Sequence, residues 1–222
     1  RPCIFEWVYM ANGASIIEGV SVYDARLNMG RKLSKRIYDY FIDNHLDLKK
    51  IDYVVPVPET SKPATIMVAD KLGIKYREII IKNRYVNRTF IMDNQKKRKQ
   101  NLVHKFMIIE HMVRGKNILL IDDSIVRGNT LKHLIKCLKE YGSKSIIVGS
   151  CSPKIKYINR YGIDIQDPKL LVANNRNNIE ISEYLGADHV IYQTIDDLKS
   201  CITDINSDIT DFELSVFNNV NL

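Results

Sequence analysis

Residues 117–130, NILLIDDSIVRGNT, constrain the fold more than any other stretch. Ile118, Leu119, Leu120 and Ile121 form an unbroken apolar run, the pattern of a strand buried on both faces. Two acids, Asp122 and Asp123, end it. A short loop with one glycine follows, and then TLKHLIKCLKEYG places Leu131, Leu134, Ile135 and Leu138 at i, i+3, i+4 and i+7. That spacing predicts a helix, with Gly142 at its C-terminal end. The order strand, acidic turn, small-residue loop, helix carries chemistry. A loop entering a helix N-terminus aims free N–H groups at one point, where the helix dipole favours an anion. Ser124 and Thr130 add hydroxyl groups, and Gly128 permits close backbone approach. Two carboxylates beside an anion site would repel phosphate, but suit hydroxyl groups or a metal. The implied ligand has a phosphate at one end and a diol, with or without a cation, next to it. A sugar phosphate fits. The plainer alternative is an ordinary strand end followed by a capped helix.

A second unit repeats the theme. Residues 53–57, YVVPV, predict a strand running into PETSKP, where Thr60 and Ser61 bring hydroxyls to a proline-braced turn. Pro63 suits the first turn of a helix over 64–72, closed by Gly73. Two such loops are expected to gather at the carboxyl edge of one sheet, where open α/β folds bind ligands. Earlier, residues 1–10 contain CIFEWVYM, an apolar strand candidate, and residues 23–44 predict a helix with Leu27, Leu33, Ile37 and Phe41 on one face. Arg26, Arg31, Lys32, Lys35 and Arg36 are assigned to its solvated face. Residues 76–81 predict a third strand. Residues 82–106 form a long polar segment without helical period, rich in Lys and Arg, and are expected to be a flexible basic lid. Strands over 145–149 and 189–192 follow, with short helices at 169–173, 179–185 and 195–202. The fold class is therefore α/β: a mostly parallel twisted sheet flanked by helices, with a lid and a C-terminal hood or extension. One domain is expected over 1–203, with a polar tail over 204–222, mobile at its end.

At 222 residues with 45% hydrophobic and 27% charged residues, the chain is globular. Its net charge of +7 suits phosphorylated ligands. The basic residues form no single stripe interleaved with aromatics, so nucleic acid is not an expected partner. Cys3, Cys137, Cys151 and Cys201 lie far apart, which argues against a zinc or iron–sulfur motif and against a disulfide scaffold. A cytoplasmic setting is the expectation, with no membrane association, because no apolar run reaches spanning length. The histidines are isolated and are assigned no catalytic role. The chain begins at Arg1, and is expected to belong to something longer.

The run LLIDDSIVRGNT resembles the signature of type I phosphoribosyltransferases. With CIFEWVYMA, SVYDARLNMGRKL, VVPVPETSKPA, KNRYVNRTFI, YGIDI and LGADHVIY, nearly the whole chain is similar, in order, to the amidophosphoribosyltransferase family of purine synthesis. That resemblance implies a type I phosphoribosyltransferase fold and a reaction of phosphoribosylpyrophosphate with ammonia. It implies that Ser124, Ile125, Val126, Arg127, Gly128, Asn129 and Thr130 hold the 5-phosphate, and that Asp122 and Asp123 meet the ribose hydroxyls and a magnesium ion. Glu59, Thr60 and Ser61 would form the pyrophosphate loop, with Ser61 completing the metal site. Lys82, Arg84, Tyr85 and Arg88 would act from the lid, the three cations as catalytic groups.

The family's full enzyme carries an N-terminal glutaminase domain, which nothing in these residues supplies; Arg1 falls near the junction. A glutaminase domain or subunit, purine nucleotide inhibitors and a homo-oligomer are the partners the resemblance implies. Asn87 stands where the lid usually has glycine, and Asn129 where many members have threonine. Some members bind an iron–sulfur cluster, but the C-terminal cysteine pair is missing from FELSVFNN, so no cluster is expected. Two other classes stay open: a type I transferase acting on a nucleobase through a hood over 151–167, and a non-catalytic sensor of phosphoribosylpyrophosphate or a nucleotide.

Overall fold

The computed structural model describes residues 1–83, 105–158 and 167–219. Its centre is a four-stranded, all-parallel sheet in the order β3 (Tyr53–Pro56), β6 (Asn117–Asp122), β7 (Ser145–Ser150) and β8 (His189–Tyr192). Period-2 alternation sorts the strand residues onto two cores. Leu119 and Ile121 of β6, Ile147 of β7 and Ile191 of β8 pack with α1 (Val22–Asp43), α2 (Lys62–Leu72) and α5 (Ile195–Thr203). Ile118 and Leu120, Ile146 and Val148, and Val190 pack on the other face with α3 (Asn129–Glu140) and α4 (Asn178–Leu185). Each fully buried aliphatic side chain contributes about 1.5–3 kcal/mol. This is why an uninterrupted apolar run belongs in the middle of the sheet.

Helix α2 ends as the sequence predicts, capped by Gly73 with φ +66°, whereas α3 ends at Glu140 with Tyr141 as its cap, one residue ahead of the expected Gly142, which takes φ +85°. Helix α4 begins in a reciprocal capping box between Asn177 and Glu180.

Four expectations are corrected. The N-terminal stretch is a π-helical turn, Glu6–Met10, and not a strand. Its buried residues, Ile4, Phe5, Trp7 and Val8, have helical spacing, which the continuous run of apolar residues disguises. The strand expected over 76–81 divides: Tyr76 bridges to Val54, while β4 (Ile80–Lys82) forms an antiparallel ribbon with β5 (Phe106–Ile108). Residues 169–173 hold a 3-10 turn, Pro168–Leu170, before buried Leu171, Val172 and Ala173. Arg26, assigned to the solvated face of α1, is buried at 6% exposure. The mobility expected at the end of the tail falls on residues 220–222, outside the described residues. Before them the tail is packed: Phe212 stands edge-on to Trp7 at 6.2 Å, Phe217 lies 6.3 Å from Phe5, and the Glu213 amide donates to the Pro2 carbonyl. The small ribbon β1 (Ile16–Ile17) and β2 (Val20–Ser21) leads into α1, whose first turn is capped by the Ser21 hydroxyl.

One polar staple ties the starts of β3 and β6. Asp52 accepts from the Asn117 amide at 2.9 Å and from the Lys116 ammonium at 3.2 Å. Burial works to raise this carboxyl, but the Asn117 amide and the Lys116 ammonium outweigh it and hold it below the usual range. An acid depressed in the folded state stabilises above its unfolded value and loses that contribution as pH falls through its folded value. Asp52→Ala is expected to destabilise the chain by about 1–2 kcal/mol at neutral pH. In thermal melts, the gap from wild type should close below about pH 4. A gap unchanged by acid would show that packing, not the charge, holds the staple.

Candidate functional site

The carboxyl ends of β3 and β6 lie side by side, as the parallel pairing requires, and the Val57 amide donates to the Ile121 carbonyl at 2.8 Å. After β3 the chain turns through Pro58, Glu59 and Thr60 into α2; the Pro58–Glu59 peptide is cis. After β6 it passes Asp122 and Asp123 and loops into α3. Between these loops lies a cavity of about 640 Å³. One wall is Pro58, Glu59 and Thr60. The floor is the continuous stretch from Asp122 through Ser124, Ile125, Val126, Arg127, Gly128, Asn129 and Thr130 to Leu131. Lys82 on β4, with Lys105 and Phe106, stands on one side, and Phe5, Tyr9 and Met10 on another.

The floor loop has the geometry of an anion cradle. Gly128 takes φ +73°, a conformation that favours glycine, and a Cβ on it would lie 2.7 Å from Leu185 Cδ2 of α4. The Val172 amide pins the loop by donating to the Val126 carbonyl at 2.9 Å. Helix α3 thus opens at Asn129 with its N-terminus on the cavity.

The acids lie at the head of this loop. Asp122 is the last residue of β6 and Asp123 the first beyond it, and both line the cavity. The Asp123 amide donates to Asp122 Oδ1 at 3.0 Å, and the Ser124 hydroxyl to Asp123 Oδ1 at 2.9 Å. Neither carboxylate is ion-paired among the described residues. Burial, and then the neighbouring Asp123 charge, push Asp122 well above the usual carboxylate range. Burial also raises Asp123, to about 6, against the Ser124 hydroxyl and the Arg26 guanidinium. A cation or hydroxyl donors reaching both groups would restore the ionised pair. No cluster of three or more metal-ligating side chains occurs among the described residues. Two carboxylates facing a phosphate cradle do fit a magnesium ion that takes its remaining ligands from phosphate and water.

The structure brings together all the expected floor residues, the wall residues Glu59 and Thr60, and Lys82. Ser61 is not brought to the cavity with them. It is 1% exposed, lies outside the cavity lining, and donates its hydroxyl to the Val57 carbonyl at 2.6 Å, bracing the turn from within. Arg84, Tyr85, Arg88 and Asn87 lie outside the described residues. Sequence reasoning missed Lys62, whose ammonium bridges Glu59 at 3.1 Å and Glu78 at 2.9 Å and so ties the wall to the approach to β4. It also missed Arg26, Phe5, Tyr9 and Met10. Helical spacing at residues 4–8 was the signal available for the last three.

A parallel α/β sheet with paired acids before a glycine-bearing loop that enters a helix is the arrangement expected of a phosphoribosyltransferase, and the chain belongs to the phosphoribosyl transferase domain family, whose model matches residues 22–159. More particularly, it is similar to proteins named amidophosphoribosyltransferase. That of Pseudomonas aeruginosa is 43% identical over 216 residues, covering 97% of this chain and 42% of that protein. The Saccharomyces cerevisiae protein is 43% identical over 98% of this chain and 41% of its own length, and the human one 40% identical over 90% and 37%. Among solved structures, glutamine phosphoribosylpyrophosphate amidotransferase from B. subtilis, complexed with ADP and GMP, superposes with a TM-score of 0.81 at 32% identity, covering 98% of this chain and 46% of that one. The chain spans less than half the length of these relatives.

Proposed function

We propose that this chain is the phosphoribosyltransferase part of an amidophosphoribosyltransferase of purine synthesis. It would displace pyrophosphate from C1 of phosphoribosylpyrophosphate with ammonia, inverting that carbon and giving 5-phosphoribosylamine. The observation that carries the reading is the juxtaposition, in one turn, of a helix N-terminus and two carboxylates without an ion-pair partner among the described residues. These match the diol and 5-phosphate ends of the substrate. The loop from Ser124 to Thr130 holds the phosphate and fixes the ribose over the acids. Asp122 and Asp123 accept from the ribose 2- and 3-hydroxyls. A magnesium ion held by these acids would supply neutralisation of the departing pyrophosphate. The wall of Glu59 and Thr60 faces that leaving group, and the Lys82 ammonium opposes the charge it takes away. Arg84, Tyr85 and Arg88, outside the described residues, are assigned a part in the same step on the strength of the family resemblance alone. Neutral ammonia needs no general base to attack, so catalysis is positioning, leaving-group stabilisation and exclusion of water.

The relatives' names support further proposals. Glutamine-derived ammonia would come from a glutaminase domain or subunit, and a purine nucleotide of the kind complexed with the B. subtilis protein would occupy this cavity. A cytoplasmic location and a homo-oligomer complete the reading. The test is incubation of the 222-residue chain with phosphoribosylpyrophosphate, magnesium and an ammonium salt, following pyrophosphate. Release that depends on ammonia is expected, with none driven by glutamine. Release that requires a nucleobase, or none under any condition, would overturn the assignment.

A further inference from the structure

Arg26 is the charged group that the proposed chemistry leaves unused. It leaves α1 fully inside the molecule. Its Nε donates to the Trp7 carbonyl at 3.0 Å and its Nη2 to the Ala11 carbonyl at 2.8 Å, while Nη1 lies beside Gly13. The two carbonyls are four residues apart and bracket Tyr9 and Met10. Those two side chains are 56% and 37% exposed, yet both line the cavity. The turn they sit on is a single five-residue π-helical turn, and the Ala11 amide caps its end by donating to the Glu6 carbonyl at 3.0 Å. A segment this short has little cooperativity of its own. What fixes it is the packing of Phe5, Trp7 and Val8 beneath, and the guanidinium fork across its two ends.

We propose that Arg26 is a positioning residue that holds the Tyr9–Met10 wall over the cavity, so that the reacting carbon meets ammonia and not water. The inference rests on the transferase reading above. Water entering a loosened wall would attack C1 in place of ammonia. The bond from C1 to the pyrophosphate oxygen breaks as before, pyrophosphate leaves with the electron pair, and ribose 5-phosphate forms with a proton lost to solvent. Only a planar fork spans both carbonyls; a lysine ammonium keeps the charge but is a point donor on a flexible stem. The effect should therefore appear in Arg26→Lys, where charge alone is preserved.

Trp7 supplies a readout independent of turnover. It is the chain's single tryptophan, it is fully buried, and its own carbonyl is one of the two clamped. Arg26→Lys and Arg26→Gln, each shown folded by circular dichroism, are compared with Tyr9→Ala, an exposed change that spares the clamp. In both Arg26 variants, acrylamide quenching of Trp7 should rise by about twofold or more as the turn loosens. The ratio of hydrolysis to aminolysis should rise by about fivefold or more. In Arg26→Lys, which keeps a positive charge near Asp123, affinity for phosphoribosylpyrophosphate should move by less than about threefold, because the guanidinium spends its donors on backbone. Tyr9→Ala should raise the same ratio with Trp7 quenching unchanged. The proposal is overturned if folded Arg26→Lys keeps the wild-type ratio, or if substrate affinity collapses with the ratio unmoved. Tyr9→Ala with the wild-type ratio overturns it even where neither Arg26 variant folds. Absence of ammonia-dependent pyrophosphate release in the wild type would overturn the transferase reading. Trp7 quenching, read without substrate, still decides whether Arg26 holds the turn.

Discussion

Asp123→Asn should lower ammonia-dependent pyrophosphate release by about 10²–10³-fold in kcat/KM while leaving the chain folded. The substitution keeps the shape of the side chain. An amide oxygen can still accept from the Ser124 hydroxyl, the bond that orients Asp123 at 2.9 Å. What disappears is the negative charge. In the proposed complex that charge holds the ribose hydroxyls and a cation, and it faces the positive charge that develops on the sugar as pyrophosphate departs. Such a group acts more strongly in the transition state than in the ground state, so kcat should fall along with kcat/KM. Stability should not fall. Burial raises the Asp123 carboxyl above its usual range, so its charge is an expense to the fold, and a neutral amide of the same size removes it. The expected signature is a variant that melts at or above the wild-type temperature and turns over very slowly. Near-full turnover at saturating substrate would show that Asp123 does not meet the reacting sugar, and the roles given to the acidic pair would have to be redrawn.

The parts of this site that were legible in the sequence are those built from local chain. Residues 117–130 specify strand, acids, glycine loop and helix within one continuous segment, and the structure preserves that order without interruption. The same holds for β3, its turn and α2. What was not legible arises between segments. Arg26 lies on a helix among Arg31, Lys32, Lys35 and Arg36, and by local pattern nothing separates it from them. It is buried because two carbonyls 19 and 15 residues away face it. Glu59 reads as a free acid until it is seen to share Lys62 with Glu78. Ser61 reads as one more hydroxyl of the loop, and only the direction of its bond to Val57 removes it from the cavity. The N-terminal turn failed for a different reason. An unbroken apolar run is compatible with a buried strand and with a buried helical turn, and at this length periodicity alone does not decide.

Gly30→Ala should be the most destabilising small substitution in the chain's long helix, by about 3 kcal/mol or more. Helix propensity argues the other way: alanine in a helix interior is favoured over glycine by about 1 kcal/mol. Gly30 sits within α1, on the buried stripe that includes Ala25, Met29, Leu33 and Ile37. At this point α1 crosses the first turn of α2. A Cβ on Gly30 would lie 2.2 Å from the Ala64 carbonyl oxygen and 2.8 Å from its Cα. These are backbone atoms, so no rotamer change relieves the overlap, and one helix must move. Helix α2 cannot move alone, because it begins directly after the wall of Glu59 and Thr60. Its first turn is bonded to the loop, with the Thr65 amide donating to the Ser61 carbonyl at 2.9 Å. A shift that admits the methyl group therefore displaces the cavity wall as well. For a chain of this size the loss corresponds to a fall in melting temperature of about 6–12 °C. Substrate affinity should weaken together with stability. Arg36→Ala, on the exposed face of the same helix, should stay within about 0.5 kcal/mol of wild type. If Gly30→Ala instead melts within about 1 °C of wild type, then the α1–α2 crossing yields without loss, and the close approach of these helices is not what sets the position of the cavity wall.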